Sequence, residues 1–186
     1  MVTLSASAIA RNVTAALAAI SSTNLYRLTD YQGNCVDLEN GRSGDDVGIS
    51  SRICTGNTNQ EWLLTTDPTG NFFKITNNAA NTGVMSVPAV KTVAPTARSL
   101  QLQPLTSQAN SIMLWDLQLN TNFPSKDPAF PFAFNIVPTL SPGNVVTSIT
   151  AWKQPPLDIV PRGDSPLTLT ILNRNDVQQT FSLTPL

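Results

Sequence analysis

Short apolar stretches separated by turn-forming residues fill the chain from residue 24 onward, and this rhythm limits its fold more than any other feature. Apolar residues recur at every second position or closer, and Gly, Pro, Asn, Asp and Ser fall between the stretches. The clearest of these stretches are LYRLT, VGISSRI, EWLLT, NFFKIT, LWDLQL, FAFNIV and LTLTIL. The sequence therefore predicts an all-β fold of about ten or more short strands, arranged as a sandwich or a barrel.

An aromatic residue at a similar place in each third divides these strands into three blocks. Each block ends in a triplet that leads into an apolar strand: Gln60-Glu61-Trp62, Met113-Leu114-Trp115 and Gln179-Thr180-Phe181. Trp62 and Trp115 lie 53 residues apart, and Trp115 and Phe181 lie 66 apart. This periodicity predicts three copies of one four-strand unit, over residues 24–67, 68–120 and 121–186.

Charge and composition exclude several classes of function. The chain has 11 basic and 12 acidic residues and no histidine, so it lacks the basic surface that nucleic acids require. It contains no apolar run of about eighteen residues, so no membrane span is predicted. Without histidine, Ser-His-Asp and Cys-His sites and most zinc sites are excluded, and no carboxylate pair has general acid and base spacing. We expect no enzyme activity, no metal and no cofactor.

The two cysteines, Cys35 and Cys54, are separated by 19 positions. This spacing fits neither a C-x-x-C redox motif nor a zinc finger. A disulfide that closes a loop of this size would stabilise the fold by roughly 3 kcal/mol. We favour a disulfide, with two buried free thiols as the alternative.

The N-terminal segment differs from the rest of the chain. Residues 5–20 are rich in Ala, and they place Ile9, Val13, Leu17 and Ile20 on one face of a helix. We predict a helical extension over residues 1–23, docked on the main domain of residues 24–186 or on a partner. The alternative is a secretory signal whose apolar part is residues 13–20.

One stretch of thirty residues resembles a known family. Gly33, Cys35 and Asp37 form the pattern G-x-C-x-D, and a second cysteine and the pattern N-Q-x-W, ending at Trp62, follow. This combination resembles the first repeat of ricin B-type (R-type) lectin domains, which include fungal lectins. The resemblance implies a β-trefoil, a six-stranded barrel capped by three hairpins, and it implies carbohydrate binding.

The resemblance also assigns structural roles. Each trefoil repeat of the family closes with a Q-x-W pattern, whose aromatic ring fills the barrel and whose amide bonds to backbone groups. The residues at these positions are Gln60, Trp62, Trp115, Gln179 and Phe181. In the same comparison, a Cys35–Cys54 disulfide would join two strands of the first repeat.

Asp37 and Asn59 match the family positions that contact sugar, and Ser50 stands where a larger polar residue would reach it. A carboxylate accepts hydrogen bonds from sugar hydroxyls, and a carboxamide supplies both a donor and an acceptor. The alternative is that Asp37 and Asn59 only cap turns. The resemblance implies a glycan ligand of galactose type.

Arg52 stands where binding repeats usually carry an aromatic residue. It could lie beneath a sugar ring, pair with an acidic sugar, or close the pocket as an ion pair with Asp37. The positions expected to match Asp37 in the other repeats are Val87 and about Thr147, and neither has a carboxylate. We therefore expect at most one sugar site, in the first repeat.

Two proline-rich segments of the third repeat offer an alternative function. NFPSKDPAFPF and AWKQPPLDIVPRGDSP carry Phe130, Phe132 and Trp152, which either cover the open end of the barrel or contact a protein. The alternative function is thus a sugar-inactive trefoil that binds a partner protein, like the β-trefoil protease inhibitors. A disulfide favours a secreted, extracellular location, and the absence of a convincing signal peptide leaves the cytoplasm as the alternative.

Overall fold

Thirteen β-strands lie within the part of the chain that the structure, a computed structural model, describes. The described residues are 15–41, 47–80, 83–88, 100–104, 111–112, 114–139, 145–152 and 165–186. The strands are β1 (Leu25–Thr29), β2 (Cys35–Leu38), β3 (Val47–Arg52), β4 (Trp62–Thr66), β5 (Phe73–Asn77), β6 (Gly83–Pro88), β7 (Gln101–Pro104), β8 (Ser111–Ile112), β9 (Trp115–Leu119), β10 (Ala133–Pro138), β11 (Thr147–Ala151), β12 (Ser165–Ile171) and β13 (Phe181–Pro185). Short 3₁₀ turns cover Glu39–Gly41, Thr58–Gln60 and Val177–Gln179.

Six of these strands close into a barrel through antiparallel pairing. β1 pairs with β4, β4 with β5, β5 with β9, β9 with β10, β10 with β13, and β13 with β1. A closed ring leaves no unpaired strand edge, which removes the main site of unwanted association in β proteins.

The other strands form three hairpins that cap the barrel. They are β2–β3, β6–β7 and β11–β12, and the short β8 pairs with β6. β3 also pairs with β7 and with β12, so the hairpins contact one another. The arrangement of a six-stranded barrel and three hairpins confirms the predicted β-trefoil, whereas the repeat boundaries stay a prediction.

Alternate residues of the barrel strands point into a single core, as the period-two pattern predicts. Trp62, Trp115 and Phe181 begin β4, β9 and β13, and all three are fully buried. Burying one such aromatic side chain contributes on the order of 3 kcal/mol. The other inward-facing barrel residues are Tyr26, Leu28, Leu64, Phe73, Ile75, Leu117, Phe134, Ile136 and Leu183.

The two tryptophans also tie the barrel to its hairpins. The Nε1 of Trp62 donates to the carbonyl of Val36 on β2 at 2.9 Å. The Nε1 of Trp115 donates to the carbonyl of Met85 on β6 at 3.0 Å. The side chain of Phe181 has no N–H group, so the third hairpin lacks this bond. In the first two repeats the indole bond therefore sets the register of the hairpin relative to the barrel.

The turn between β1 and β2 explains the glycine of the G-x-C pattern. Gly33 has a φ of +88°, a left-handed conformation that a residue with a Cβ rarely adopts. The Oδ1 of buried Asp30 accepts from the backbone N–H groups of Gln32 and Asn34 at 2.8 and 2.9 Å. Its Oδ2 accepts from the hydroxyl of Ser51 at 2.7 Å, which fixes the turn against β3.

The predicted disulfide between Cys35 and Cys54 is confirmed. It joins the first residue of β2 to the second residue after β3, with the two Cα atoms 5.0 Å apart. The bridge therefore holds the segment that follows β3 against the hairpin.

The end of the predicted N-terminal helix docks on the barrel. Residues 15–18 form a helical turn, in which the N–H of Ala19 donates to the carbonyl of Ala15 at 3.1 Å. Ala16 is buried, and Leu17 and Ile20 pack against the core. The helical extension is thus confirmed in its last turn, whereas Ile9 and Val13 lie outside the described residues.

The aromatic residues of the first proline-rich segment turn toward the barrel. Phe130 is only 6% exposed, and its ring lies edge-on to Tyr26 with the centroids 6.5 Å apart. Phe132 is partly buried, and its centroid lies 5.4 Å from that of Phe130. These contacts favour a covering role for both rings. Trp152 lies at the start of the second segment, most of which falls outside the described residues.

We predict that Trp62→Phe destabilises the protein by about 1–3 kcal/mol, because it leaves the buried carbonyl of Val36 without its donor. Unfolding in urea measures this loss. Ile171→Val is the control, because Ile171 is 58% exposed and its substitution should stay within about 0.5 kcal/mol. A free energy of unfolding that is unchanged in Trp62→Phe would contradict the anchoring role of the indole.

We also predict that the double variant Cys35→Ser/Cys54→Ser loses about 3 kcal/mol of stability, because the unfolded chain gains the freedom of an open loop. Chemical unfolding with and without reductant measures the loss, and reductant should affect only the wild-type protein. In the wild type, alkylation should modify both cysteines only after reduction. Two alkylated thiols before reduction would disprove the disulfide.

Candidate functional site

The β2–β3 hairpin brings three of the predicted sugar-site residues to one face. In its antiparallel register, Asp37 lies opposite Ser50 and Cys35 lies opposite Arg52. Directly opposed residues point to the same side of an antiparallel pair, and so do alternate residues along one strand. Asp37, Ser50 and Arg52 therefore share the face that the disulfide crosses.

A cavity of about 290 Å³ opens on this face. Its volume lies near the lower end of typical ligand pockets, ~300 Å³, which is suitable for one small ligand. The lining residues are Asp37, Arg52, Ile53, Thr55, Asn57, Asn59 and Gln60. The structure thus brings together three of the predicted sugar-site residues, Asp37, Arg52 and Asn59. The fourth, Ser50, lies opposite Asp37 in the hairpin but does not line the cavity.

Asp37 is the central residue of this pocket. Its side chain is only 3% exposed, and its Oδ2 accepts from Asn59 Nδ2 and from Gln60 Nε2, both at 2.8 Å. Its Oδ1 is buried and has no hydrogen-bond partner among the described residues. A buried acceptor without a donor costs about 1–3 kcal/mol, and more when it is charged. Both bonds come from side-chain amides rather than from turn backbone, so Asp37 does not act as a turn cap.

Gln60 joins this pocket to the start of β4. Its Nε2 donates to the carbonyl of Ile53 at 3.0 Å as well as to Asp37, and its Oε1 accepts from the N–H of Thr55 at 2.7 Å. The amide thereby fixes the segment after β3 along one side of the cavity. Gln179 makes the matching contacts in the third repeat, where it bonds to the carbonyl of residue 171 and the N–H of residue 173.

Arg52 and Ser50 also carry unused hydrogen-bonding groups. The Nε of Arg52 and the hydroxyl of Ser50 are buried without a partner among the described residues. No ion pair joins Arg52 to Asp37, although the structure describes both side chains. The alternative that these two residues close the pocket by pairing is therefore wrong.

The tryptophan bonds identify the residue that matches Asp37 in the second repeat. The indole of Trp115 donates to Met85, just as the indole of Trp62 donates to the residue before Asp37. Ser86, which follows Met85, is therefore the matching residue. It is fully buried and has no carboxylate.

The glutamine bonds identify the matching residue in the third repeat. Gln179 donates to the carbonyl of Ile171, as Gln60 does to that of residue 53. The β11–β12 register then makes Thr150 the equivalent of Asp37.

The expected matches to Asp37, Val87 and Thr147, were therefore wrong by one and by three residues. Val87 and Thr147 each follow a glycine by four residues, as Asp37 follows Gly33, but the turns that contain these glycines differ in length. The observed equivalents, Ser86 and Thr150, also lack a carboxylate, so the first repeat remains the only one of the three with an acid at this position.

The third-repeat face differs in a second respect, because its hydroxyls bond to one another. The hydroxyl oxygens of Thr150 and Thr170 lie 2.6 Å apart, and Gln179 Nε2 donates to Thr170 at 2.7 Å. The Nε1 of Trp152 donates to Thr168, which matches Ser50, at 2.7 Å. In the first repeat, by contrast, Asp37, Ser50 and Arg52 each keep one buried atom without a partner among the described residues, and Asp37 and Arg52 line the cavity.

Ile53, Thr55 and Asn57 also line the pocket, and the sequence analysis did not identify them. Ile53 is 74% exposed, an unusual state for an isoleucine beside a strand. The position of Ile53 between Arg52 and Cys54 in the sequence could have indicated its place at the pocket, because the disulfide and Gln60 together hold this segment there.

A second cavity, of about 400 Å³, lies between β9 and β10 and is lined by residues 119–124 and 131–133. Its buried amide, Asn120, is fully bonded: Nδ2 donates to the carbonyl of Arg174 and to Thr180, and Oδ1 accepts from the N–H of Asn122. This cavity therefore offers a ligand no buried group that lacks a partner.

The described residues contain neither a metal-binding cluster nor a membrane-spanning helix. No group of three His, Cys, Asp or Glu side chains in this part of the chain is placed to hold a metal ion. Nor does this part contain a helix that is long and apolar enough to cross a membrane.

Part of the chain is similar in sequence to lectin domains. Residues 18–102 match the family model described as "Ricin-type beta-trefoil lectin domain-like", and this stretch contains the whole pocket. No curated protein matches the chain by sequence.

Solved structures share the fold at low sequence identity. The Rhizoctonia solani agglutinin is 15% identical with a TM-score of 0.61, over 88% of this chain and 95% of that one. The Macrolepiota procera ricin B-like lectin, solved with lactose, is 18% identical with a TM-score of 0.56, over 88% and 96%. The designed threefold-symmetric protein ThreeFoil is 15% identical with a TM-score of 0.63, over 87% and 99%. The sequence match over residues 18–102 and the shared β-trefoil fold together confirm that this chain resembles the ricin B-type lectins.

Proposed function

We propose that the chain is a carbohydrate-binding module that holds one hexose unit, of galactose type, in the pocket of the first repeat. The observation that carries the proposal is that Asp37 lines a cavity and that its buried Oδ1 has no partner among the described residues. The match to a lectin family model supports carbohydrate binding in general. The complex of the Macrolepiota procera lectin with lactose supports a galactose-containing ligand.

A sugar hydroxyl supplies the donor that Asp37 lacks. In the free protein, Oδ1 has lost its contact with bulk water without gaining a protein donor, and binding removes this penalty. A hydrogen bond to a charged group contributes about 1.5–3 kcal/mol. The Oδ1 of Asn59, whose Nδ2 is already bonded to Asp37, offers a further polar contact beside it.

The apolar face of the sugar ring has a partner in Ile53. Its exposed side chain flanks the cavity, and the methylene groups of Arg52 extend the same surface. An aliphatic surface lacks the preferred geometry of an aromatic platform, so we expect weaker binding than in repeats that carry an aromatic residue at position 52.

The proposal includes a stoichiometry of one sugar per chain. Ser86 and Thr150 replace the carboxylate in the other repeats, and the hydroxyl of Thr150 is bonded to that of Thr170. A single weak site gives no avidity within one chain. The function is binding rather than catalysis, and the disulfide fits an extracellular protein.

The alternative of a partner-binding trefoil rests on the third-repeat loops. Phe130 and Phe132 pack on the barrel and on each other, which removes much of the aromatic surface that a protein partner would contact. We therefore favour the sugar-binding function.

We predict that Asp37→Asn lowers the affinity for galactose and lactose by about tenfold or more, because it removes the charge and replaces the acceptor at Oδ1 with an N–H donor. The variant keeps an oxygen for the amides of Asn59 and Gln60, whereas Asp37→Ala would leave both amides unpaired and so also destabilise the pocket. Titration of ¹⁵N-labelled protein with each sugar measures the affinity and locates the site.

The control for this experiment is Asp116→Asn. Asp116 lies outside the pocket, where its Oδ2 accepts from Gln118 Nε2 at 2.8 Å, and the substitution makes the same chemical change. We expect its sugar affinity to equal that of the wild type. Lactose binding that persists unchanged in Asp37→Asn, or that maps to the second or third repeat, would overturn the proposed site.

A further inference from the structure

We infer that the first-repeat pocket is selective for a saccharide that carries a carboxylate, such as a uronic or sialic acid unit, and that Arg52 binds this group. The inference rests on the proposed function and specifies its ligand class. It assigns Arg52 a role in specificity.

The unused donor of Arg52 is the first observation. Arg52 lines the cavity and is half-buried, and its Nε is buried with no hydrogen-bond partner among the described residues. A guanidinium has five N–H donors and no acceptor, so only an acceptor can satisfy it. The cost of burying an unpaired donor would be recovered when an anion binds.

The second observation is that the chain leaves Arg52 unpaired although an acid is within reach. Asp37 lies opposite Ser50, two residues from Arg52 along β3, which makes Asp37 and Arg52 diagonal neighbours. Such neighbours lie about 7–8 Å apart, a distance that an arginine side chain can span. Asp37 instead uses its Oδ2 for Asn59 and Gln60, and no ion pair joins it to Arg52.

The pocket therefore holds a separate anionic acceptor and cationic donor. An acidic sugar carries both complementary groups on one molecule, since its hydroxyls can donate to Asp37 Oδ1 while its carboxylate accepts from Arg52. A neutral sugar leaves the guanidinium unsatisfied. If the ligand bound with its carboxylate near Asp37, the two negative charges would repel each other. The charges of the pocket therefore also select the orientation of the ligand.

The planar guanidinium favours a carboxylate, which it can bind with two parallel hydrogen bonds. The third repeat offers a contrast within the same chain. There the equivalent residue is Thr170, whose hydroxyl already bonds to Thr150 and Gln179. The third repeat therefore has neither the cation nor the carboxylate that Arg52 and Asp37 supply in the first repeat.

The test uses the full chain and three matched ligands. They are methyl galactoside, methyl galacturonide, in which a carboxylate replaces the hydroxymethyl group of the galactoside, and galactose 6-sulfate. N-Acetylneuraminic acid tests the other carboxylate source. By titration we expect the galacturonide or the neuraminic acid to bind about tenfold tighter than the galactoside. We expect this preference to shrink as salt rises, because Arg52 is partly exposed.

Arg52→Gln should abolish the preference, so that the galacturonide and the neuraminic acid bind this variant no more tightly than the galactoside does. Lys126→Gln is the matched control, because it removes one positive charge from an exposed residue outside the pocket, and it should keep the preference. Asp37→Asn should weaken the binding of neutral and acidic sugars alike.

The outcomes separate the inference from the proposed function. Equal or tighter binding of the neutral galactoside, tighter binding of the sulfate than of either carboxylate sugar, or a preference that persists in Arg52→Gln would overturn the inference and leave the proposed function intact. If none of the four sugars binds, both fail. A carboxylate preference that depends on Arg52 supports both.

Discussion

The hydrogen bonds of the Gln60 side-chain amide are the interactions on which both the fold and the pocket of the first repeat depend. Gln60 lies two residues before Trp62, whose indole fixes the β2–β3 hairpin on the barrel. The Gln60 amide bonds to Oδ2 of Asp37, and it also bonds to the carbonyl of Ile53 and the N–H of Thr55 in the segment that follows β3. Because one group fixes the carboxylate and the pocket wall together, the geometry of the site follows from the packing of the barrel rather than from a flexible loop. This is the pre-organisation that keeps the cost of binding small.

The first and third repeats show two uses of one scaffold. Both have a glutamine that bonds to the end of the outer hairpin strand. In the third repeat, the hydroxyls of Thr150 and Thr170, at the positions of Asp37 and Arg52, bond to each other and to Gln179. In the first repeat, Asp37, Ser50 and Arg52 each keep a buried atom without a partner. Such atoms lower stability, and polar groups of this kind are concentrated at functional sites, where a ligand completes them.

Much of this structure could be predicted from the sequence because the signals are local. Alternation of apolar residues gave the strands, and the recurring aromatic residue gave the threefold arrangement. The matches to Asp37 in the other repeats were wrong because a glycine in a turn of variable length is a poor reference, whereas the indole bond that fixes the register cannot be seen in a sequence. The exposure of Ile53 and the burial of Phe130 likewise depend on contacts between distant segments. Sequence reasoning also treated Asp37 as wholly available to a ligand, although one of its oxygens is structural.

The most direct test of the account is a crystal structure of the full chain grown with a saturating galactose-type sugar. The account predicts one sugar per chain, in the pocket lined by Asp37, Ile53 and Asn59, with a ring hydroxyl within hydrogen-bonding distance of Asp37 Oδ1. A sugar bound at the second or third repeat, or an empty first-repeat pocket at saturation, would contradict it.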